Sequence, residues 1–365
     1  MIPLAQEKLH RFSIAMLIFN TQAGVVQFTL PRTIATYFGT NGWIILILVY
    51  LIVALNIMLI NAVYRLGKGK SLFDILQGGL PRFMLIPVYL AAGSLFALIG
   101  CLVVKQYVLI YQMIIFPSTS DLMLKIFVDI LIFLFVTKGI YNMSKANLLM
   151  VFILLAIVPS GFMLLGDFDL LRLSPYVFKE GRDWLKGFAS VYAAFMGYEL
   201  SILLFPYAEN NNKWLKYVHL GNSISLLIYL FVALLCYGFF NYHELKYLSF
   251  PLLDMFGYMQ FPFVERIQNF IFSLFLFSII VTSGMYFWSS QQMYSAVLPK
   301  APWKLLLFLI MTLAIGVSYI PKSLIIVEQW FDVLSLFEIG AAIGLPLLAL
   351  LAILIQKGRS KRHAS

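Results

Sequence analysis

Residues 20–31 read N-T-Q-A-G-V-V-Q-F-T-L-P. They interrupt an apolar run that begins near residue 12, and Asn20, Thr21, Gln22, Gly24, Gln27, Thr29 and Pro31 are ill suited to a helix that faces lipid all round. The 365-residue chain around them is 62% hydrophobic and 12% charged, with a mean hydropathy of +0.91. That composition belongs to an integral membrane protein, not a soluble domain. The apolar runs are about 20 residues long and do not alternate, whereas a barrel strand needs only about 10 residues. An all-α integral membrane fold of about ten transmembrane helices is therefore expected.

The spans are predicted at residues 12–33, 42–64, 84–109, 122–141 and 147–166, then at 187–206, 218–240, 263–288, 304–320 and 334–355. No connection is long enough for a soluble domain, a nucleotide site or a catalytic insert, so one membrane domain, 1–365, accounts for the chain. The longest connections, 167–186 and 241–262, carry aromatics with Pro175, Pro251 and Pro262 and have the composition of gates or lids.

A net charge of +10 raises the question of nucleic acid, but the basic residues fall into alternate loops. Lys8, Arg11, Arg65, Lys68, Lys70, Arg82, Lys138, Lys145, Lys213, Lys216, Lys300, Lys304 and the tail lysines and arginines share one side. The other side receives Arg32, Arg172, Lys179, Arg182, Lys186, Lys246 and Lys322, diluted by Asp167, Asp169, Glu180 and Asp183. Both termini are thus predicted cytoplasmic, and the basic tail at 356–365 is an anchor beside anionic lipid, with no nucleic-acid partner expected. The first apolar run lacks a small-residue cleavage site and is expected to be retained.

Cys101 and Cys236 fall inside predicted spans as small buried hydrophobes. His10, His219, His243 and His363 are scattered over span ends and loops, with no spacing that suits a metal or a triad. The sequence therefore points away from an enzyme and predicts no cofactor and no metal.

Five spans per half is an odd number, so the second half, 184–355, must run through the membrane in the opposite sense to the first, 9–166. That parity permits an inverted repeat. Gly24 and Gly197 lie about half a chain apart, each in a polar interruption followed by a proline, Pro31 or Pro206. Interrupted helices at matching positions of two halves point to a transporter-type binding site.

Residues 189–209 read A-S-V-Y-A-A-F-M-G-Y-E-L-S-I-L-L-F-P-Y-A-E. A carboxylate at mid-membrane costs about 2.5–3.5 kcal/mol even on the lenient insertion scale, so Glu199 is expected to face a cavity or a partner. A structural ion pair and a ligand contact both meet that condition. In the first break, the amides that open the second half-helix carry partial positive charge, which suits a ligand carboxylate.

F-M-G-Y-E at 195–199 resembles the sixth-helix F-x-G-[FY]-[ED] pattern of the amino acid–polyamine–organocation superfamily, and A-G-V-V-Q-F-T-L-P at 23–31 resembles its unwound first helix. With ten spans, T-L-P-R at 29–32 and E-R at 265–266, the whole chain resembles the B-subunit family of bacterial spore germinant receptors. The resemblance implies a LeuT-like 5+5 inverted repeat with helices 1 and 6 broken, located in the spore inner membrane. It implies a nutrient-sensing role beside an A subunit and a lipoprotein C subunit, with a small nutrient such as an amino acid triggering germination. An ion-coupled amino acid or amine transporter using the same site is the alternative. Carried over by position, the ligand pocket is formed by Thr21, Gly24 and Val25 with Met196, Gly197, Tyr198 and Glu199. One position departs from the pattern: the second glycine of G-x-G is Val26, stiffer and bulkier.

In span eight, Thr282 and Ser283 resemble the hydroxyl pair that helps bind sodium in several transporters of this fold. Bonding to their own helix backbone is the competing expectation. Span five lacks the lysine that some proton-coupled relatives place there. Lys105, Lys125 and Asp129 are expected to snorkel or pair near span ends. Tyr107 and Tyr111 are expected in an interfacial belt, the alternative being a cover over the pocket. Glu338, with Gly340 and Gly344, is expected to serve helix association.

Overall fold

The structure, a computed structural model, describes residues 8–155, 158–173, 176–208, 214–259 and 266–362. Its first helix, α1 (Arg11–Gln22), stops inside the polar stretch, and α2 (Val26–Phe38) resumes at a bend of 59°. The three residues between them turn tightly, with the Gly24 N–H donating to the Gln22 carbonyl at 2.7 Å. Val26 opens α2 and lies just past the break, so its branched side chain does not close the turn at Gly24.

The first half continues with α3 (Ile44–Leu66), α4 (Leu72–Gly79), α5 (Arg82–Ile114), α6 (Asp121–Val136), α7 (Gly139–Leu155) and the single turn α8 (Val158–Gly161). In the second half, α9 (Trp184–Ala194) breaks before a 3₁₀ stretch at Tyr198–Tyr207, and α10 (Trp214–Phe239) follows. The short helices α11 (Tyr242–Leu245) and α12 (Pro251–Gly257) then lead to α13 (Ile267–Leu274), α14 (Leu276–Val297), α15 (Trp303–Ser318) and α16 (Leu324–Arg362). All regular structure among the described residues is helical.

Six of these units are long and apolar enough to cross a membrane, and the bent pair α1–α2 makes a seventh. At the places predicted for spans four, five and nine stand shorter helices of 16, 17 and 16 residues. Several predicted limits are corrected. Span five starts earlier, at Gly139, and span ten starts at Leu324, well before residue 334. Span eight runs past residue 288 to Val297, and the polar residues Ser289, Ser290 and Gln291 that follow that limit are buried inside the bundle. The amphipathic helix α4 was not anticipated; Ser71 caps it by accepting the Asp74 N–H.

Burial separates centre from periphery. The Trp184–Tyr207 and Ile267–Val297 units are 78% and 72% buried, against 39% for α3 and for α16, so the broken sixth unit and the eighth are central. α14 packs along α5, where Gly100 lets the Tyr286 side chain and the Ser283 carbonyl approach closely. The connection after α8 caps α2: the Phe178 N–H donates to the Thr40 carbonyl at 2.7 Å and the Arg182 N–H to the Tyr37 carbonyl at 2.9 Å. Phe178 and Trp184 close on Phe38 there. Pro175, Pro262, Lys213, Glu209, Glu265 and His363 lie outside the described residues.

Candidate functional site

The two breaks touch. Gly197 has φ +115, a conformation that side-chain-bearing residues rarely adopt, and a Cβ there would lie 2.8 Å from Thr21 Cγ2. Across the same junction Gln22 Nε2 donates to the Phe195 carbonyl at 2.5 Å. α10 ties both breaks. Gln22 Nε2 also reaches Asn222 Oδ1 at 3.0 Å, and Ser225 Oγ donates to Gln22 Oε1 at 2.5 Å. The Tyr229 hydroxyl lies 2.8 Å from the Gln22 carbonyl and 2.7 Å from that of Ala194, so its one proton serves the freed ends of both α1 and α9.

A cavity of about 280 Å³ opens beside this junction. Thr21, Gly24, Val25 and Met196 line it, as do Val26, Thr282 and Tyr286. Gly197, Tyr198 and Glu199 are brought to the same junction but stand behind the lining. Tyr198 is buried, its hydroxyl 2.6 Å from that of Tyr192 and accepting from Asn56 Nδ2 at 2.7 Å. Glu199 turns back on its own break, with Oε2 accepting the Gly197 N–H at 2.7 Å.

Glu338 is the residue that sequence reasoning misassigned. Among the described residues nothing lies within 4 Å of a Cβ placed at Gly340 or Gly344, so within this chain these glycines seat no neighbouring helix. Glu338 instead is buried, lines the cavity and accepts a hydrogen bond from Tyr286. The same phenol lies 3.3 Å from Glu199 Oε1. Two carboxyl groups and one phenol thus form a single cluster, Glu338 and Tyr286 on the cavity wall and Glu199 behind them. The signal available in the sequence was the one used for Glu199, an acid in the middle of an apolar run.

Thr282 and Ser283 part company. Thr282 Oγ1 donates to the Asn20 carbonyl at 3.1 Å, whereas the buried Ser283 Oγ has no partner among the described residues. One helical turn before Thr282, Ser278 Oγ stands 2.7 Å from Asn20 Oδ1 and also contacts the Ala23 carbonyl. The end of α1 and one face of α14 therefore gather oxygens from Asn20, Ala23, Ser278 and Thr282. Asn20 Nδ2 is spent on Asn147 Oδ1 of α7, at 2.7 Å.

One further expectation is corrected. Tyr107 is buried, donates to the Phe272 carbonyl at 3.2 Å and packs in a three-ring cluster with Tyr111 and Phe272, so it is not in an interfacial belt. Of the two alternatives for Lys125 it is the ion pair that forms: the residue is 1% exposed and paired with Asp129 one turn on, inside the bundle. Lys105 bridges α5 to Asp121 at 2.5 Å. At the cavity mouth, Arg32 faces Glu328, and Lys186 pairs with Asp332 at 3.3 Å.

Residues 8–324 match the family model described as "Spore germination protein". The chain is 24% identical over 283 residues to spore germination protein GerQB of Bacillus cereus, spanning 76% of this chain and 77% of that one. It is 22% identical to GerLB of the same organism over 96% of each chain, and 26% identical to spore germination protein A2 of Bacillus subtilis over 76% and 78%. In structure it is similar to Mhp1, a nucleobase-cation-symport-1 family transporter solved with bromovinylhydantoin bound. The TM-score is 0.68, over 95% of this chain and 78% of that one, at 11% identity. A Na+-coupled sialic acid symporter in its substrate-bound outward-open state gives a TM-score of 0.67 over 94% and 78%, also at 11%. These identities establish the LeuT-like transporter fold alone.

Proposed function

The chain belongs to the spore germination protein family, and from that premise we propose that it is the nutrient-sensing B-type subunit of a germinant receptor. Family and fold support a nutrient-binding or transport role in a multi-pass membrane protein. The finer reading is ours: a small nutrient, an amino acid foremost, enters the cavity beside Thr21, Gly24, Val25 and Met196. Gly197, Tyr198 and Glu199 hold the opposite break in shape behind it. The observation that carries this is the direct contact between the two breaks at the cavity wall, Gly197 against Thr21 and Phe195 against Gln22. A ligand there bears on both half-helices at once.

Sensing requires that the ligand bind one arrangement of the bundle better than another, since equal affinity shifts nothing. The amides at the start of α2 receive a ligand carboxylate. An A subunit and a lipoprotein C subunit read the change in the spore inner membrane, with both termini of this chain cytoplasmic. The halves 9–166 and 184–355 are the inverted repeats that rock against each other, and 356–365 anchors the end of α16 on anionic lipid.

The deciding experiment is the germination response of spores carrying Gly197→Leu at normal protein abundance. Loss of the response to one nutrient is expected; a normal dose response removes the cavity from consideration. Glu199→Gln separates charge from shape, and an unchanged dose response makes Glu199 structural.

The oxygens gathered at Asn20, Ala23, Ser278 and Thr282 favour a second reading, an ion-coupled amino acid or amine transporter. A hard cation takes oxygen ligands. In this reading Thr282 keeps its ion-site role and Ser278, rather than Ser283, is its companion. Accumulation of labelled amino acid in proteoliposomes under an imposed sodium gradient is the expected sign of transport. Its absence, with nutrient sensing intact in spores, leaves the receptor reading.

A further inference from the structure

The cavity is electrically lopsided. Near its mouth each cation has an acid beside it, Arg32 with Glu328 and Lys186 with Asp332. At its deep wall the acids have no cation. Glu199 and Glu338 are each 4% exposed, and neither enters any of the ion pairs formed among the described residues. What stands between them is the Tyr286 hydroxyl, and a phenol has one proton to give. Glu199 has in addition the Gly197 N–H. Glu338 has its share of Tyr286 and a carboxyl-to-carboxyl hydrogen bond with Glu199, and it borders the open cavity. Val25 and Val26 at the start of α2, the positive pole of a half-helix, line the same cavity.

A negative charge kept on this carboxyl pair is compensated by a cation, and among the described residues the open approach to Glu338 is from the cavity. We infer that Glu338, backed by Tyr286 and Glu199, is the amine-binding end of this cavity and receives the protonated amine of the ligand. The inference rests on the reading of the cavity as the ligand site and adds a residue outside both helix breaks. It also fixes a chemical class: small molecules carrying an ammonium group, with or without a carboxylate. Neutral sugars and nucleosides leave the acid wall unpaired and are poor ligands. Spacing between the amine and whatever meets α2 then becomes the main determinant of selectivity.

The test uses the full chain purified into lipid nanodiscs, with propylammonium chloride, sodium propionate and 1-propanol as probes at matched ionic strength. Propylammonium is expected to raise the unfolding midpoint by a few degrees and the other two to leave it in place. Glu338→Gln abolishes the shift, Glu338→Asp restores part of it, and Asp74→Asn on α4, outside the cavity, keeps it whole. A full shift in Glu338→Gln, or a shift with propionate in place of propylammonium, overturns the inference. Should Glu338→Gln fail to fold, hydrogen exchange on the wild-type chain decides: propylammonium slows exchange over residues 334–342, and equal slowing by propionate overturns it. These results separate from the broader reading. If amines have no effect while Gly197→Leu still abolishes the nutrient response, the inference alone falls; if Gly197→Leu responds normally, the site falls with it.

Discussion

Gln22 Nε2 lies 2.5 Å from the Phe195 carbonyl, so the last residue of α1 holds the residue at which α9 stops. The rest of the Gln22 amide is spent on Asn222 and Ser225, which makes it a junction between both breaks and α10. Its replacement by leucine strands a buried carbonyl and an amide together and leaves the Ser225 hydroxyl only the Gly221 carbonyl, at 3.3 Å. Each stranded group costs about 1–3 kcal/mol. Gln22→Leu is therefore expected to lower the thermal midpoint in nanodiscs sharply. Gln22→Glu keeps the acceptor for Ser225 and loses both donations, and it should fall between. A Gln22→Leu chain as stable as wild type is incompatible with this junction.

The contact of Gly197 with Thr21 predicts a rescue. Gly197→Ala meets two obstacles, a positive φ and a Cβ 2.8 Å from Thr21 Cγ2. Thr21→Ser removes that methyl and leaves the hydroxyl, which donates to the Leu17 carbonyl at 2.7 Å. Strain of this backbone type costs of order 1–3 kcal/mol. In a double-mutant cycle on nutrient response and midpoint, Thr21→Ser should recover the steric part of the Gly197→Ala loss and leave the backbone part. Simple additivity of the two single effects would mean that the breaks do not touch.

These pairings mark what the sequence could and could not convey. Apolar length, loop charge and the paired Gly-Pro interruptions sufficed for the helical membrane fold, the break at 23–25 and the break before Tyr198. Gln22 was visible as an oddity in span one, but its partners lie about 200 positions away on α10, and no local pattern links them. Ser289–Gln291 follow the expected limit of span eight yet lie inside the helix, because polarity in a bundle reports which way a residue faces, not where the helix ends. Glu338 was misread for a related reason. The spacing of Gly340 and Gly344 fits a helix seam, and only the packing of α16 reveals that Glu338 turns inward while the glycines do not.

Lys125 and Asp129 lie one turn apart on α6, 1% and 3% exposed, with no other cation or acid bonded to them among the described residues. Removing one partner of such a buried pair leaves the other uncompensated, at about 3–5 kcal/mol, while replacing both by apolar residues is often close to neutral. Lys125→Met alone should therefore destabilise the chain strongly. Lys125→Met with Asp129→Leu should return it to near the wild-type midpoint in nanodiscs. If the double variant is as unstable as the single, the pair does more than neutralise itself, and a role for Asp129 beyond structure follows.

The cover over α2 carries a pH dependence of known sign. Hydrogen bonding from the Tyr242 hydroxyl, helped by the positive charge of Lys246 and Lys179, holds the exposed Glu180 carboxyl below its ordinary value of 4.5. Lys246 Nζ lies 4.0 Å from Glu180 Oε2 and 4.9 Å from the Tyr242 ring, so this cluster links the two long connections. A group whose folded value is depressed favours the folded contact above its ordinary value and loses that contribution as pH falls through the folded one. The cover should thus stay closed near neutrality and loosen only as pH falls below 4.5, with the small effect expected of an exposed group. Hydrogen exchange at residues 176–183, corrected for the intrinsic rate, should rise in that range. Glu180→Gln should flatten the profile. A wild-type profile that stays flat down to pH 3 would mean that Glu180 does not fasten the cover, and that Phe178 and Trp184 against Phe38 hold it without help.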